Sequence, residues 1–202
     1  MDTVFSNMVM YLGEFSDMRN LCDTCKAFQP CKYYKFNREY SLKFYFDPEF
    51  RREVESVVNL RQLSLNLTGS KIDCVSSLNN IHALNLSGCP VVDVSALTNV
   101  HTLILNRCPV TDVSMLGNTC RLSLEHCDNV TDVSRLGNVH YLSLLNCHSL
   151  ADVSGLTNNR ILILQRCHKV SDFSPVCNID VLDIKWCNIK NVAIFKNRRL
   201  YR

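Results

Sequence analysis

The chain has 202 residues, of which 47% are hydrophobic, enough for one elongated domain with a core and a small N-terminal addition. Its formal net charge of +3 is too small to point by itself to a polyanionic partner. No apolar run approaches the roughly 20 residues of a membrane span, and the start lacks the charged stretch and apolar run of a signal peptide.

In chain order, Val4, Met8, Val9 and Leu12 share one helical face, with Phe5 beside them. Gly13 ends that helix, Phe15 follows it, and Ser16 can cap a second helix carrying Met18 and Leu21. Cys22 and Cys25 have C-x-x-C spacing with Cys31 close by, but no histidine precedes His82, so a zinc site lacks its fourth ligand. No metal or cofactor is expected. Residues 31–58 are the most aromatic stretch, with Tyr33, Phe36, Tyr40, Phe44 and Tyr45 among others, and read as packing between the helical start and the remainder of the chain. Asp47 caps a short helix with Pro48 at its first position and Phe50, Val54 and Val57 on one face. The expected segments are 1–40 (helical), 41–58 (aromatic linker and short capping helix) and 59–202.

The third segment repeats. Asn59, Asn80, Asn99, Asn118, Asn138, Asn158, Asn178 and Asn197 recur every 19–21 residues, and from Asn80 to Asn178 a cysteine follows each by nine positions, from Cys89 to Cys187. Asp93, Asp112, Asp132, Asp152 and Asp172 follow those cysteines in turn. The consensus N-V-H-x-L-x-L-x-x-C-x-x-V-x-D-V-S-x-L places a short strand at L-x-L, with Leu103 and Leu105 or Leu142 and Leu144 pointing inward. D-V-S-x-L is too short for a full helix. It reads as a 3₁₀ or irregular turn, capped by the aspartate, that turns Val94 and Leu97 inward. One coil cannot bury its apolar edge, but stacked coils can. The expected fold is an α/β solenoid of 7–8 short coils with parallel strands, turns on the convex side and a small helical segment in front. Six cysteines at one repeat position are explained by packing and weak S–H donation, so reduced thiols and a reducing compartment, cytoplasm or nucleus, are expected.

Val100, Leu103, Leu105 and Cys108 fill the frame of the leucine-rich repeat, L-x-x-L-x-L-x-x-N/C-x-L, and Val139, Leu142, Leu144 and Cys147 fill it again. The cysteine followed by Val130-Thr131-Asp132 resembles the cysteine-containing subclass common in F-box proteins, while the short D-V-S-x-L half looks like the convex turns of internalin-type repeats. Near the start, Tyr11-Leu12, Asp17-Met18 and Cys25-Lys26-Ala27-Phe28 resemble an F-box over residues 3–30, without its opening L-P-x-E. F-box and repeats of this type recur together, including in amoebae and their giant viruses. The resemblance implies that Phe5, Met8, Val9, Leu12, Phe15, Met18 and Leu21 face a Skp-type adaptor of a ubiquitin ligase. The same residues also suit an amphipathic cap on the first coil.

The outward strand positions form columns whose residues differ from coil to coil, unlike the structural ones. They are the expected target-binding surface: Arg107, Glu125, His126, Tyr141, Leu145, Ile163, Arg166, Lys185 and Trp186, with the tryptophan and arginine as the types that most often anchor interfaces. The end from Lys185 carries Lys190, Lys196, Arg198, Arg199 and Arg202 but no acid and no interleaved aromatics, so an edge-protecting cap suits it better than a nucleic-acid platform. No phosphate-binding glycine loop, H-E-x-x-H or nucleophile elbow occurs. The expectation is a monomeric, non-catalytic adaptor that holds an unidentified target protein, with a freestanding repeat scaffold as the alternative.

Overall fold

The computed structural model describes residues 33–190 and 192–195. The helices expected before residue 33, with Phe5, Met8, Val9, Leu12, Phe15, Met18 and Leu21, lie outside the described residues, as does the basic end from Lys196.

Among the described residues, eight strands form one all-parallel sheet in strict chain order. They are β1 Tyr34–Lys35, β2 Leu63–Asn66, β3 Ala83–Asn85, β4 Thr102–Ile104, β5 Arg121–Ser123, β6 Tyr141–Ser143, β7 Ile161–Ile163 and β8 Val181–Asp183. Seven of them are the repeat strands, each one rung of a leucine-rich-repeat solenoid. The register sets Leu84, Leu103, Leu122, Leu142, Leu162 and Leu182 side by side, and all are buried. Period-two alternation puts their neighbours outside.

The convex side is made of single 3₁₀ turns, at Ser76–Leu78, Ser114–Leu116, Ser134–Leu136 and Ser174–Val176, or of simple turns. From the second coil on, the turn is started by the repeat aspartate: Oδ1 of Asp93, Asp112, Asp132, Asp152 and Asp172 accepts the backbone N–H of the serine two residues on, at 2.8–2.9 Å, while in the first coil Cys74 stands there with its thiol 3.3 Å from the Ser76 hydroxyl. These turns pack closely. A Cβ on Gly137 would stand 2.3 Å from the carbonyl oxygen of Gly155 on the next coil, closer than any real contact.

The cysteines form a second ladder inside the solenoid. The thiols of Cys89, Cys108, Cys127, Cys147, Cys167 and Cys187 donate to the carbonyl oxygens of Leu67, Leu86, Leu105, Leu124, Leu144 and Leu164, one coil back, at 2.8–3.1 Å. Those carbonyls lie just past the strand and also accept the backbone N–H three residues on in their own coil, as Leu105 O does from Cys108, so the thiol fills the second acceptor site of the oxygen. In the first coil Ser70 takes the place, its Oγ donating to Leu67 O and lying 3.3 Å from Cys89 Sγ. All nine cysteines among the described residues are free thiols.

Coil length changes along the array. Two early coils run Cys89-Pro90-Val91 and Cys108-Pro109-Val110; the next three hold two residues in the gap, as in Cys127-Asp128-Asn129-Val130, and the last returns to one at Cys187-Asn188-Ile189. The added residue makes a small turn, closed by Val130 N–H to Cys127 O and its equivalents at Leu150 and Val170, and the strand register does not shift.

Among the described residues, two buried side chains keep a polar atom without a partner. Asn159, buried, donates to the carbonyls of Leu136 and Val139, leaving its Oδ1 without a partner; the buried Oγ1 of Thr119 also has none.

The N-terminal end is more elaborate than the sequence suggests. Helix α2, Pro48–Val57, is as expected, with Asp47 Oδ1 accepting the N–H groups of Glu49 and Phe50 and with Phe50 and Val54 buried. Strand β1 and helix α1, Arg38–Phe46, were not expected. Helix α1 is capped by Asn37, whose Oδ1 accepts Tyr40 N–H, and it runs across residues 40 and 41, where the expected segments meet. Buried Ser41 joins it to the sheet, donating to Asn37 O and accepting Asn66 N–H. Phe36, Phe44, Phe50 and Val54 fill the end of the solenoid.

Candidate interaction surface

The outward columns fall as the sequence predicts. One runs Ser64, Ala83, Thr102, Arg121, Tyr141, Ile161, Val181; the next Asn66, Asn85, Ile104, Ser123, Ser143, Ile163, Asp183. Their character changes half-way. In the first column the side chains are small over β2 to β4, and with Lys35 and Ile104 they line a groove of about 290 Å³. From β5 on the first column is large: the Arg121 guanidinium carbon sits 4.5 Å from the centroid of the Tyr141 ring, and Ile161 and exposed Val181 continue it, with Ile163 of the second column alongside.

Several candidate residues are engaged in holding the face together. Asn106 Oδ1 accepts the Ser123 hydroxyl and the Glu125 N–H; the Ser143 hydroxyl donates to Glu125 Oε1; Gln165 Nε2 donates to Asp183 Oδ2. Asn146 Nδ2 lies 3.2 Å from His126 Nε2, a contact in which the amide donates to an unprotonated imidazole nitrogen. Glu125 and His126 therefore have structural partners, Leu145 is half-buried beside them, and Lys185 donates its N–H to Asp183 Oδ1.

The column after these carries a backbone feature that side-chain reasoning missed. Gly69, Gly88, Arg107, His126, Asn146, Arg166 and Trp186 all have φ between 58° and 70°, the left-handed region. The strand must turn here, and glycine or asparagine does so at least cost. Two glycines and an asparagine in one column were the visible signal. Arg107, His126, Arg166 and Trp186 hold the conformation against their preference, and their amides continue the ladder: Arg107 N–H to Glu125 O, His126 N–H to Leu145 O, Arg166 N–H to Lys185 O, at 2.8–3.0 Å. The arginine and tryptophan at the end form a pair, with the Arg166 guanidinium carbon 4.8 Å from the Trp186 ring centroid and the ring 61% exposed.

On the opposite edge the His82 and His101 rings stack with centroids 4.7 Å apart, and the Tyr33 ring lies tilted against His82 at 4.5 Å. Burial, and then the neighbouring His101, lower the His82 pKa.

No protein-family model matches the sequence, and no curated protein does. Solved structures do. An internalin (inlF) of Listeria monocytogenes superposes with a TM-score of 0.58 at 27% identity over 71% of this chain, and internalin C2 of the same organism gives 0.57 at 27% over 71%. The functional domain of InlJ from Listeria monocytogenes, described as including a cysteine ladder, gives 0.53 at 17% over 69% and shows the fold alone. The chain spans 46% of the first of these, 71% of the second and 34% of the third. The leucine-rich-repeat solenoid is thus shared with known proteins.

Proposed function

We propose that this protein is a non-catalytic adaptor that holds a target protein on its repeat face and presents it to a ubiquitin ligase through an F-box-like segment at residues 3–30. The observation that carries this reading is the composition of the end cap. Phe36, Phe44, Phe50 and Val54 already cover the apolar end of the first coil. The stretch with Tyr11-Leu12, Asp17-Met18 and Cys25-Lys26-Ala27-Phe28 is then not needed as that cover, and the Skp-type adaptor becomes the natural partner for Phe5, Met8, Leu12 and Phe15. The repeat surface suits target binding, since Tyr141, Ile163, Arg166 and Trp186 gather large side chains on adjacent rungs. Two binding surfaces on one chain raise the target's effective concentration at the ligase. The free thiols suit a reducing compartment, cytoplasm or nucleus.

A pull-down with a purified Skp-type adaptor tests the proposal. Wild-type protein binds; Leu12→Asp, which puts a charge into a desolvated contact, abolishes binding while the circular-dichroism melt of the repeats is retained. Absence of adaptor binding by wild-type protein would leave a freestanding repeat scaffold. That second reading is favoured by the internalin-type neighbours, in which the same solenoid occurs.

A further inference from the structure

The row of left-handed turns beside the strand face has a spacing that selects a ligand. We infer that the row Arg107, His126, Asn146, Arg166, Trp186 binds an extended acidic peptide segment carrying carboxylates at positions i and i+4 and an apolar side chain at i+6. The inference rests on the reading that the repeats hold a protein target, and it names the chemistry of that target.

The amides of this row extend the inter-strand hydrogen-bond ladder, so its members keep the rung spacing. Arg107 and Arg166 are three rungs apart, about 14 Å at ~4.8 Å per rung. On one face of an extended peptide, side chains recur every ~6.8 Å, so i and i+4 are also about 14 Å apart. Trp186 lies four rungs from Arg107, about 19 Å, against about 20 Å for i+6. The residues between the two cations, His126 and Asn146, bond each other and carry no fixed charge. Glu125 and Asp128 flank that middle, with Glu125 Oε1 held by the Ser143 hydroxyl and Asp128 Oδ1 by the His148 N–H. They disfavour a third negative group at i+2. A nucleic acid, with charge on every residue, would bring phosphates onto those carboxylates; a peptide with two separated carboxylates would not. Backbone conformation points the same way, because Arg107, Arg166 and Trp186 stand where glycine would be less strained.

Trp186 is the only tryptophan in the chain, so its emission reports on this row directly. The probe is the synthetic peptide Ser-Glu-Ser-Thr-Ser-Glu-Ser-Leu-Ser, titrated into the full chain. The expected result is a saturable blue shift that weakens as salt is raised. The peptide with both glutamates changed to glutamine binds about tenfold or more weakly, as expected for lost charge-assisted contacts. Arg107→Gly and Arg166→Gly do the same; glycine suits the turn, so these variants keep the fold, checked by an unchanged or raised melting temperature. Equal binding of the glutamine peptide, no shift with either peptide, indifference to Arg107→Gly, or a shift produced by a single-stranded oligonucleotide and not by the peptide would each overturn the inference. Adaptor pull-down with the wild-type chain separates the two readings. No peptide binding with intact adaptor capture counts against the row alone, and peptide binding with no adaptor capture counts against the ligase link alone.

Discussion

The Sγ of Cys127 lies 3.1 Å from the carbonyl oxygen of Leu105, one coil back, and the thiol is fully buried. Burial pushes the thiols of Cys127 and Cys167 up to about 12 and that of Cys108 up to about 11. At pH 8 they should therefore resist alkylation in the native protein, while exposed Cys74, lowered by its hydrogen bonds with Ser76, should label first. Mass spectrometry after brief iodoacetamide treatment checks the order. Denatured protein prepared without oxidant should label at nearly all twelve cysteines, and three or more disulfides would overturn the proposed compartment. A raised folded pKa also means that the stability these thiols provide is whole below their unfolded value and declines as pH rises towards the folded one.

Leu144 is buried and its carbonyl accepts the Cys167 thiol. Leu144→Ala should cost about 2–5 kcal/mol, as buried leucine truncations do. Because each coil packs only on its neighbours, the loss should spread along the array. Hydrogen exchange should show it first in β5 and β7. A wild-type melt would mean that the side chain does not face inward.

Glycine exchange should have opposite effects at two sites. Gly137→Ala drives a methyl against the Gly155 carbonyl and should cost about 1–3 kcal/mol through forced backbone movement. Arg107→Gly relieves a left-handed residue of about 1–2 kcal/mol of strain against about 0.5–1 kcal/mol of glycine chain entropy. Thermal melts should therefore move down for the first and hold or rise for the second.

Acid should loosen the convex side. Hydrogen bonds from the following serine, through backbone and side chain, lower the pKa values of Asp93, Asp112, Asp132, Asp152 and Asp172. A depressed folded pKa contributes stability that is present above the unfolded value of about 3.9 and is lost as pH falls through the folded one. The melting temperature should fall below about pH 4. Asp132→Asn, which keeps an acceptor but cannot titrate, should reduce that slope. His82 adds a loss at slightly higher pH, since its lowered pKa makes the unfolded chain the better proton acceptor.

Thr119→Val should stabilise. The Thr119 hydroxyl oxygen is buried without a partner, a situation that costs about 1–3 kcal/mol. A valine of the same shape removes the cost, as Val139 does at the same place one coil on. Urea unfolding should show a midpoint increase with an unchanged slope; a decrease would mean that the hydroxyl is satisfied.

The repeat was legible because its physics repeats. Leu103, Leu105 and Cys108 meet the same kind of neighbour one coil away, and Asp112 makes the same bond within every turn from the second on, so period alone identified inward strand, thiol donor and turn cap. Features that occur once per chain were harder to read. The stretch around Asn37 and Ser41 has no periodic cue, since α1 is held by a cap and by a buried serine bonded to β2 rather than by an apolar stripe. At the candidate surface, the columns through Tyr141 and Ile163 followed from alternation. The left-handed backbone at Arg107 and Trp186 did not, because those side chains mask a requirement visible only at Gly69, Gly88 and Asn146. Nor could spacing tell that the Glu125 carboxylate was already occupied by the Ser143 hydroxyl.

The extra residue after Cys127, Cys147 and Cys167 is absorbed in a one-turn corner without moving a single strand partner. That corner is a site of free variation in chain length. Insertions there enlarge one flank of the molecule while leaving every rung where it was. Loops of several residues, or an epitope tag, should be accepted between Cys147 and Leu150, whereas the same insertion between Asp152 and Leu156 would displace the capped turn on which the next coil rests. The array thus separates the part of each coil that must keep count from the part that need not, and the latter lies beside the row of turns proposed to meet a partner.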